Sequence, residues 1–503
     1  MWSGVTLAVS FAVEFCWAHD DGVTWVNESS RVRRIEAKSG FARPGDLVAA
    51  PGFCKLTLDN SDKRFSPGYA AGPLYGNLVP RREVRIKATS GGTIWTIWTG
   101  YIEAIRPDAG EWGGGECVIE CVDLMTILDR VTVSAAYSAE KQVSTAITSI
   151  VGSVITLRVP DYLDNSDTLY HYGRGWQSDR TTCVQALQQI CESYYGRFYA
   201  SLAGPATYVT RDVLLDASTA SVATVDVDSN VVDELPVVID MSQLCNRAMV
   251  VCYPVETVGA LQVIWTNRLP IRLGPGQTRI FYTPFNDDNG VRCGAVDVVA
   301  PVATTDYLVN DQPDGSGYNY TTSPHFAIAT SIEAARAKIT VSNTASGPLY
   351  MTLLQVRGKP LRVFDPVVVV DNDTTSQAKY EKRSVTLDLP MLADDQFAAI
   401  YAGYLTWRFA NPALAAEQLL VRGLDTLGSA NVFSIKLLDR LTITDVQSGL
   451  SAVKHLVRGI EYDLKPGTWS VLYHLEQADP NKYYLAGVTG YDEVGSSSLV
   501  IGF

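Results

Sequence analysis

Apolar and polar residues alternate along most of this chain. From Val5 to Trp17 the apolar positions Val5, Leu7, Val9, Phe11, Val13, Phe15 and Trp17 are spaced two apart, with Thr6, Ala8, Ser10, Ala12, Glu14 and Cys16 between them. Successive side chains of a strand point to opposite faces, so this period predicts a half-buried strand. The same opening lacks a positive n-region and carries Glu14 inside its apolar run, which argues against a signal peptide. Similar patterning predicts strands over 31–37, 54–59, 83–88, 94–105 and 116–123, with Gly113-Gly114-Gly115 as the turn before the last.

The period then lengthens. Val143, Ala146, Ile147, Ile150 and Val151 predict a helix over 140–151. Val184, Leu187, Ile190, Cys191, Tyr194 and Tyr195 predict another over 182–195, with Gly196 as its stop. Together with the strand pair in "GRFYASLAGPATYVTR" they make a small mixed domain. From about residue 220 the β pattern returns. Residues 255–380 are rich in Thr, Asn, Asp, Gly and Pro around short apolar strands such as "RIFYTPF" and "PLYMTLLQVRG", the signature of a β-sandwich-like module. A third helix is predicted at 394–408, where Asp394-Asp395 suit the helix N-terminus. The tail is a hairpin in which Leu456, Arg458, Ile460, Tyr462 and Leu464 lead through Lys465-Pro466-Gly467-Thr468 to Trp469, Val471, Tyr473 and Leu475.

One connection does not fit a compact enzyme. After "CKLTLDNSDKRFSP" the chain runs through Gly, Pro and Tyr before the strand at 83–88. Loops longer than roughly 12 residues without structure of their own are usually functional or lie on something else. The apolar residues Phe65, Tyr69, Leu74 and Tyr75 give this loop the composition of an interface, so it is expected to be unanchored alone and fixed against a neighbouring chain.

At 503 residues, with 47% hydrophobic and 19% charged residues, the chain is long enough for about three to four domains, and it is not disordered. No run of 18 apolar residues suggests a membrane span. The net charge of −13 argues against a surface that grips nucleic acid, because neutralising phosphates takes clustered Lys and Arg. Nine cysteines with no Cys-x-x-Cys pair read as small buried hydrophobes and fit a reducing compartment. The five histidines make no metal helix, and His19-Asp20-Asp21 reads as a polar turn. No nucleophile elbow or Walker loop occurs, and the acids flanking "EWGGGE" would repel phosphate. Asn27, Asn319 and Asn372 open glycosylation triplets short enough to arise by chance. Catalytic, cofactor and metal residues are all expected to be none.

The unusual segments carry a resemblance. "LTLDNSDKRFSPGYAAGPLYGNLVPRREVRIKA", then "WTGYIEAIRPD" and "CVIECVDLMTILDR", resemble the first domain of tail-tip proteins of long-tailed bacteriophages, the baseplate hub family (minor tail proteins). "CVQALQQICESYYGRFYAS" is similar to that family's second domain, and "RSVTLDLPMLADDQFAAIYAGYLTWRFANP" with "VRGIEYDLKPGTWSVLYHLE" to its later part.

The resemblance implies a mainly β, multidomain chain with two tube-like β-barrel domains, at 1–132 and at 220–255 with 380–503. It also implies a small α/β domain at 133–215 and a β-rich, β-sandwich-like insertion at 256–379. The implied role is a non-enzymatic virion component, assembled in the host cytoplasm. It closes the tail tube as a homo-trimer between a ring of tail tube or distal tail protein and a central tail fibre or spike, for host attachment and genome ejection. DNA passes through the lumen without specific binding. Phe65, Tyr69, Leu74 and Tyr75 would then meet an adjacent subunit. The charge of −13 reads either as an acidic lumen that repels DNA or as ordinary solubility charge. The alternative is a distal tail protein, a homo-hexamer with one tube domain and an outer carbohydrate-binding domain.

Overall fold

The computed structural model describes residues 9–18, 24–108, 115–133, 135–136, 138–152, 154, 162–163, 168–172, 176, 180–215, 219–227, 234–239, 241–423, 426–428, 430–478, 482–484 and 499–501. His19-Asp20-Asp21, Gly113-Gly114 and the predicted strand residues before Ser10 lie outside these or outside any strand.

The fold is mainly β, and a single sheet of twelve strands dominates it. Its strands are β1 (Ser10–Cys16), β2 (Val26–Asn27), β3 (Val32–Gly40), β4 (Ala50–Asp59), β5 (Glu83–Ser90), β6 (Thr93–Pro107), β7 (Glu116–Val122), β8 (Ala223–Asp226), β9 (Gln418–Arg422), β10 (Arg440–Asp445), β11 (Leu450–Lys465) and β12 (Thr468–Gln477). The path runs β8-β10-β11-β3-β4-β7-β6-β5-β1-β2, with β12 on β11 and β9 on β12. Among the described residues the sheet does not close on itself.

The strands of 1–132 and of 380–503, expected in two tube-like domains, lie in one sheet, joined where β3 meets β11 through six antiparallel pairs from Ile35↔Leu464 to Gly40↔Gly459. At the end of this seam the backbones crowd. Gly40 has φ of +120°, and a Cβ there would lie 2.3 Å from the Arg458 carbonyl oxygen, so only glycine fits. One face of the sheet is apolar, and both regions share its core. Phe11 of β1 meets Phe433 edge-on at 5.6 Å, and Phe433 lies 5.1 Å from Trp469 of β12. Val471, Tyr473 and Leu475 are buried as the hairpin alternation requires, while Trp469 is half-buried on the same core.

Three helices match the sequence pattern: α1 (Val143–Gly152), α2 (Cys183–Tyr194) and α3 (Asp395–Phe409). The α2 N-terminus is a reciprocal capping box between Thr182 and Gln185, and the Asp394 carboxylate accepts from Gln396 N and Phe397 N at the head of α3. The α2 stop differs from expectation. The left-handed position is Tyr195 (φ 56°), and Gly196 is needed because a Cβ there would lie 2.2 Å from Tyr208 Oη.

Residues 220–255, grouped above with the second tube-like domain, divide. Ala223–Asp226 joins the large sheet, while Arg247–Cys252 pairs with Val367–Asn372 and Ser384–Asp388 in a separate sheet backed by α3. The insertion builds its own core around Ile264, Phe285, Ile339 and Met351, between strands on Leu349–Val363 and the three-stranded sheet of Thr278–Pro284, Arg336–Asn343 and Phe326–Ile332.

Candidate assembly surface

The connection after β4 is built from consecutive turns. Backbone N–H groups of Lys63, Ser66, Tyr69, Gly72 and Tyr75 each donate to the carbonyl three residues earlier. The buried side chain of Asn60 fixes the start, its Oδ1 accepting from Phe65 N at 2.7 Å and its Nδ2 donating to Ser66 Oγ at 3.0 Å. Arg31 grips Asp62 through two hydrogen bonds of 2.9 and 2.7 Å, and Arg64 reaches the buried Glu28 carboxylate. The Arg31 pair holds the Asp62 carboxyl below its ordinary range.

These turns sort the four apolar residues. Phe65 is fully buried, with its ring 6.4 Å from Trp17, and Leu74 is buried in the same core with Leu78. Both were expected at a subunit contact; they instead anchor the loop to its own sheet, because the three-residue turn step returns their side chains inward. The loop is thus not unanchored. Tyr69 and Tyr75 point out, at 39% and 56% exposure, with Lys63 Nζ 5.3 Å from the Tyr69 ring centroid. Only these two of the four are placed to touch another chain.

The second surface is the sheet's polar face. Cross-strand register lays out one row across it: Leu420, Leu472, Glu461, Lys38, Phe53 and Val122 on β9, β12, β11, β3, β4 and β7. Lys38 Nζ lies 2.6 Å from Glu461, whose other neighbour is His474 Nε2 at 2.7 Å. The His474 hydrogen bond, with help from Lys38, holds the Glu461 carboxyl at about 2. One pair along, Arg34 bonds Asp463 at 2.9 Å and Glu36 at 3.0 Å. Arg106–Glu120, Arg33–Glu116 and Lys87–Glu14 continue the pattern toward β1. The face thus carries both signs in cross-strand pairs, rather than the single acidic sign that a net charge of −13 suggested. Where β9, β12, β11, β3 and β4 adjoin, it dips into a concavity of about 340 Å³ with half-exposed Phe53 in its wall.

All nine cysteines are free and buried, and burial pushes the Cys121 and Cys54 thiols far up, which removes their nucleophilic form. Burial drives His455 down to about 4; its Nε2 accepts from Ala416 N at 3.0 Å, so it is a neutral core residue. His325 is exposed, and His474 is committed to Glu461. Among the described residues no group of three His, Cys, Asp or Glu is placed to hold a metal, and no helix is long and apolar enough to cross a membrane. Sequence reasoning missed Asn60 and the Glu28–Arg64 pair; the Asp-Asn-Ser-Asp run signalled the first, and nothing local signalled the second.

No protein-family model matches the chain, and no curated protein does. Solved structures do. The 43 kDa tail protein of prophage MuSo2 from Shewanella oneidensis is similar at a TM-score of 0.49 with 10% identity, over 94% of this chain and 99% of that one. A tail protein from Neisseria meningitidis MC58 gives 0.49 with 12% identity over 93% and 96%. Prophage tail protein gp18 from Listeria monocytogenes EGD-e gives 0.41 with 10% identity over 92% and 94%. All three of these solved structures are tail proteins.

Proposed function

We propose that the chain is a structural component of a phage tail tip, most like the baseplate hub, closing the distal end of the tail tube with DNA passing through its lumen. The observation that carries this reading is the continuous sheet. One chain bonds two sets of strands edge to edge through β3 and β11; with each set read as one tube-like region, three chains would supply six around one axis and match a hexameric ring. The paired charges of the polar face suit a lumen, because a surface whose cations are already held by carboxylates offers phosphates little to bind. Tyr69 and Tyr75 suit the contact with an adjacent subunit or ring, as aromatic side chains bury much area with few rotatable bonds.

The partners in this reading are a ring of tail tube or distal tail protein on one side and a central fibre or spike on the other. The role is assembly rather than turnover, and the place is the virion tail tip, reached after assembly in the host cytoplasm. Electron microscopy of particles tests it by counting copies. Three per tail, with the polar face of the large sheet lining the channel, is the expected result. Six copies in one ring would overturn it in favour of the distal tail protein.

A further inference from the structure

The small sheet backed by α3 has two open flanks. Its order is Val367–Asn372, Arg247–Cys252, Ser384–Asp388, with no further strand on either side among the described residues. One face is closed, where Ala248, Val250 and Cys252 meet Tyr401, Ala402 and Leu405 of α3. The flanks are not. Val368 and Val370 are 54% and 41% exposed, and Ser384, Thr386 and Asp388 are exposed on the other side. Edge strands are ordinarily blunted by shortness, Lys, Pro or a bulge, as the large sheet is by the two-residue β2. Val367–Asn372 has none of these. It is six residues long, opens on four consecutive valines, and pairs with the middle strand without a register shift.

Backbone pairing shows which groups the flanks offer. Asp373 N donates to the Asn246 carbonyl, and hydrogen-bonded pairs recur at every second residue of an antiparallel ladder, so the odd-numbered residues of Val367–Asn372 face the middle strand. Val368, Val370 and Asn372 therefore turn their N–H and C=O groups to the open side. On the other flank Arg247 N donates to the Arg383 carbonyl and Leu389 N to the Val251 carbonyl, so Ser384, Thr386 and Asp388 do the same. The two flanks also run in opposite directions, since Val367–Asn372 is antiparallel to the middle strand and Ser384–Asp388 is parallel to it. Set side by side by two copies in the same orientation, they make an antiparallel pair. Aligning Thr386 with Val370 engages all three offered residues of each strand, placing Ser384 on Asn372 and Asp388 on Val368. That register keeps the open faces of the two sheets continuous and sets Arg383 across from Asp373, opposite in charge.

We propose that the Ser384–Asp388 edge of one copy of this chain pairs with the Val367–Asn372 edge of the next, a head-to-tail backbone contact separate from the loop of Tyr69 and Tyr75. A two-fold pairing of like edges would leave the other edge of each copy open. Head-to-tail pairing uses both, and closes into a ring when the turn per copy permits. With three copies it makes a belt of nine strands; that count rests on the trimer proposed above, and the contact itself does not.

Sedimentation of the full-length protein over a concentration series is the first measurement, and association is expected. Val370→Pro removes an N–H that faces only the open side, so the ladder to Arg247–Cys252 survives. The variant should melt within about 2 °C of the wild type where both are monomeric, and associate about tenfold more weakly or less still. Should it fail to fold, Val370→Lys takes its place with the same expectation. Cross-linking gives the direction. Chains carrying Thr386→Cys and chains carrying Val370→Cys, treated with a short bismaleimide, should cross-link when mixed and not when alone; the nine native thiols are buried. A wild type that stays monomeric throughout, association unchanged in the folded Val370 variant, or either cysteine variant cross-linking with itself would each overturn the proposal. Six copies per tail would overturn the trimer and leave these results standing.

Discussion

The large sheet draws seven strands from the first 122 residues and five from beyond residue 222, and the two sets are held by different means. In the first set the buried polar contacts are local. Glu28 is met by Arg64, and Asn60 by Phe65 and Ser66, all within that half of the sheet. In the second set two of them reach outward. Arg440 donates to the Leu214 carbonyl at 2.8 Å, and Glu476 is paired with Arg197 of the α/β unit. A contiguous run of strands supports itself by apolar burial, whereas strands gathered from three separate stretches need fixed directions. Buried polar contacts supply direction because they are favourable in one geometry only.

The largest test of that contrast is Glu476→Gln, which leaves the Arg197 guanidinium buried without its partner. It should cost about 3–5 kcal/mol by denaturant unfolding. A loss below about 1 kcal/mol, the range of an exposed pair, would erase the distinction between the halves. Leu74→Ala comes next. As a large-to-small change in the first half's core it should cost about 2–5 kcal/mol, and a neutral result would return Leu74 to the surface. Asp394→Ala removes the cap of α3 and should cost about 1 kcal/mol, read in the same experiment.

Acid should weaken the seam of the sheet specifically. Glu461 and Asp463 both titrate below their ordinary range when folded, through His474 and Lys38 and through Arg34 respectively. A depressed folded pKa contributes stability that is present above the unfolded value, near 4.3 for Glu, and lost as pH falls from there toward about 2. Glu461→Gln should flatten stability against pH over that window, as followed by chemical denaturation at stepped pH. The smallest effect on the free chain is expected from Tyr75→Ser, within about 0.5 kcal/mol, combined with loss of ring assembly by native mass measurement. A ring that assembles normally without Tyr75 removes that residue from the interface.

What was legible in the sequence follows the same division. Strands β4, β5 and β7 were visible because each alternates over nearly its whole length and its partners all lie within the first 122 residues, and the β11–β12 hairpin because its arms are adjacent in sequence. The short strand at Ala223–Asp226 was not, because four residues define no period and its parallel partner begins at Arg440. The candidate surface was half legible. Composition singled out Phe65, Tyr69, Leu74 and Tyr75, but only the sequence of turns from Asn60 onward separates the pair turned inward from the pair turned outward, and turns carry no apolar periodicity. The Arg197–Glu476 pair was invisible, since charge complementarity between residues so far apart leaves no local trace.

The seam between β3 and β11 also governs what a cut in the chain would do. The loop at residues 312–319 in the insertion is exposed throughout, the kind of site that proteases nick first. A nick there divides the polypeptide into two fragments, yet they hold opposite sides of the backbone hydrogen bonds that run from Ile35↔Leu464 to Gly40↔Gly459, and each fills part of one apolar core. The fragments would remain a tight non-covalent complex, released only by denaturant. The covalent route through the insertion is thus dispensable to the large sheet, which leaves that module free to lengthen, shrink or be exchanged.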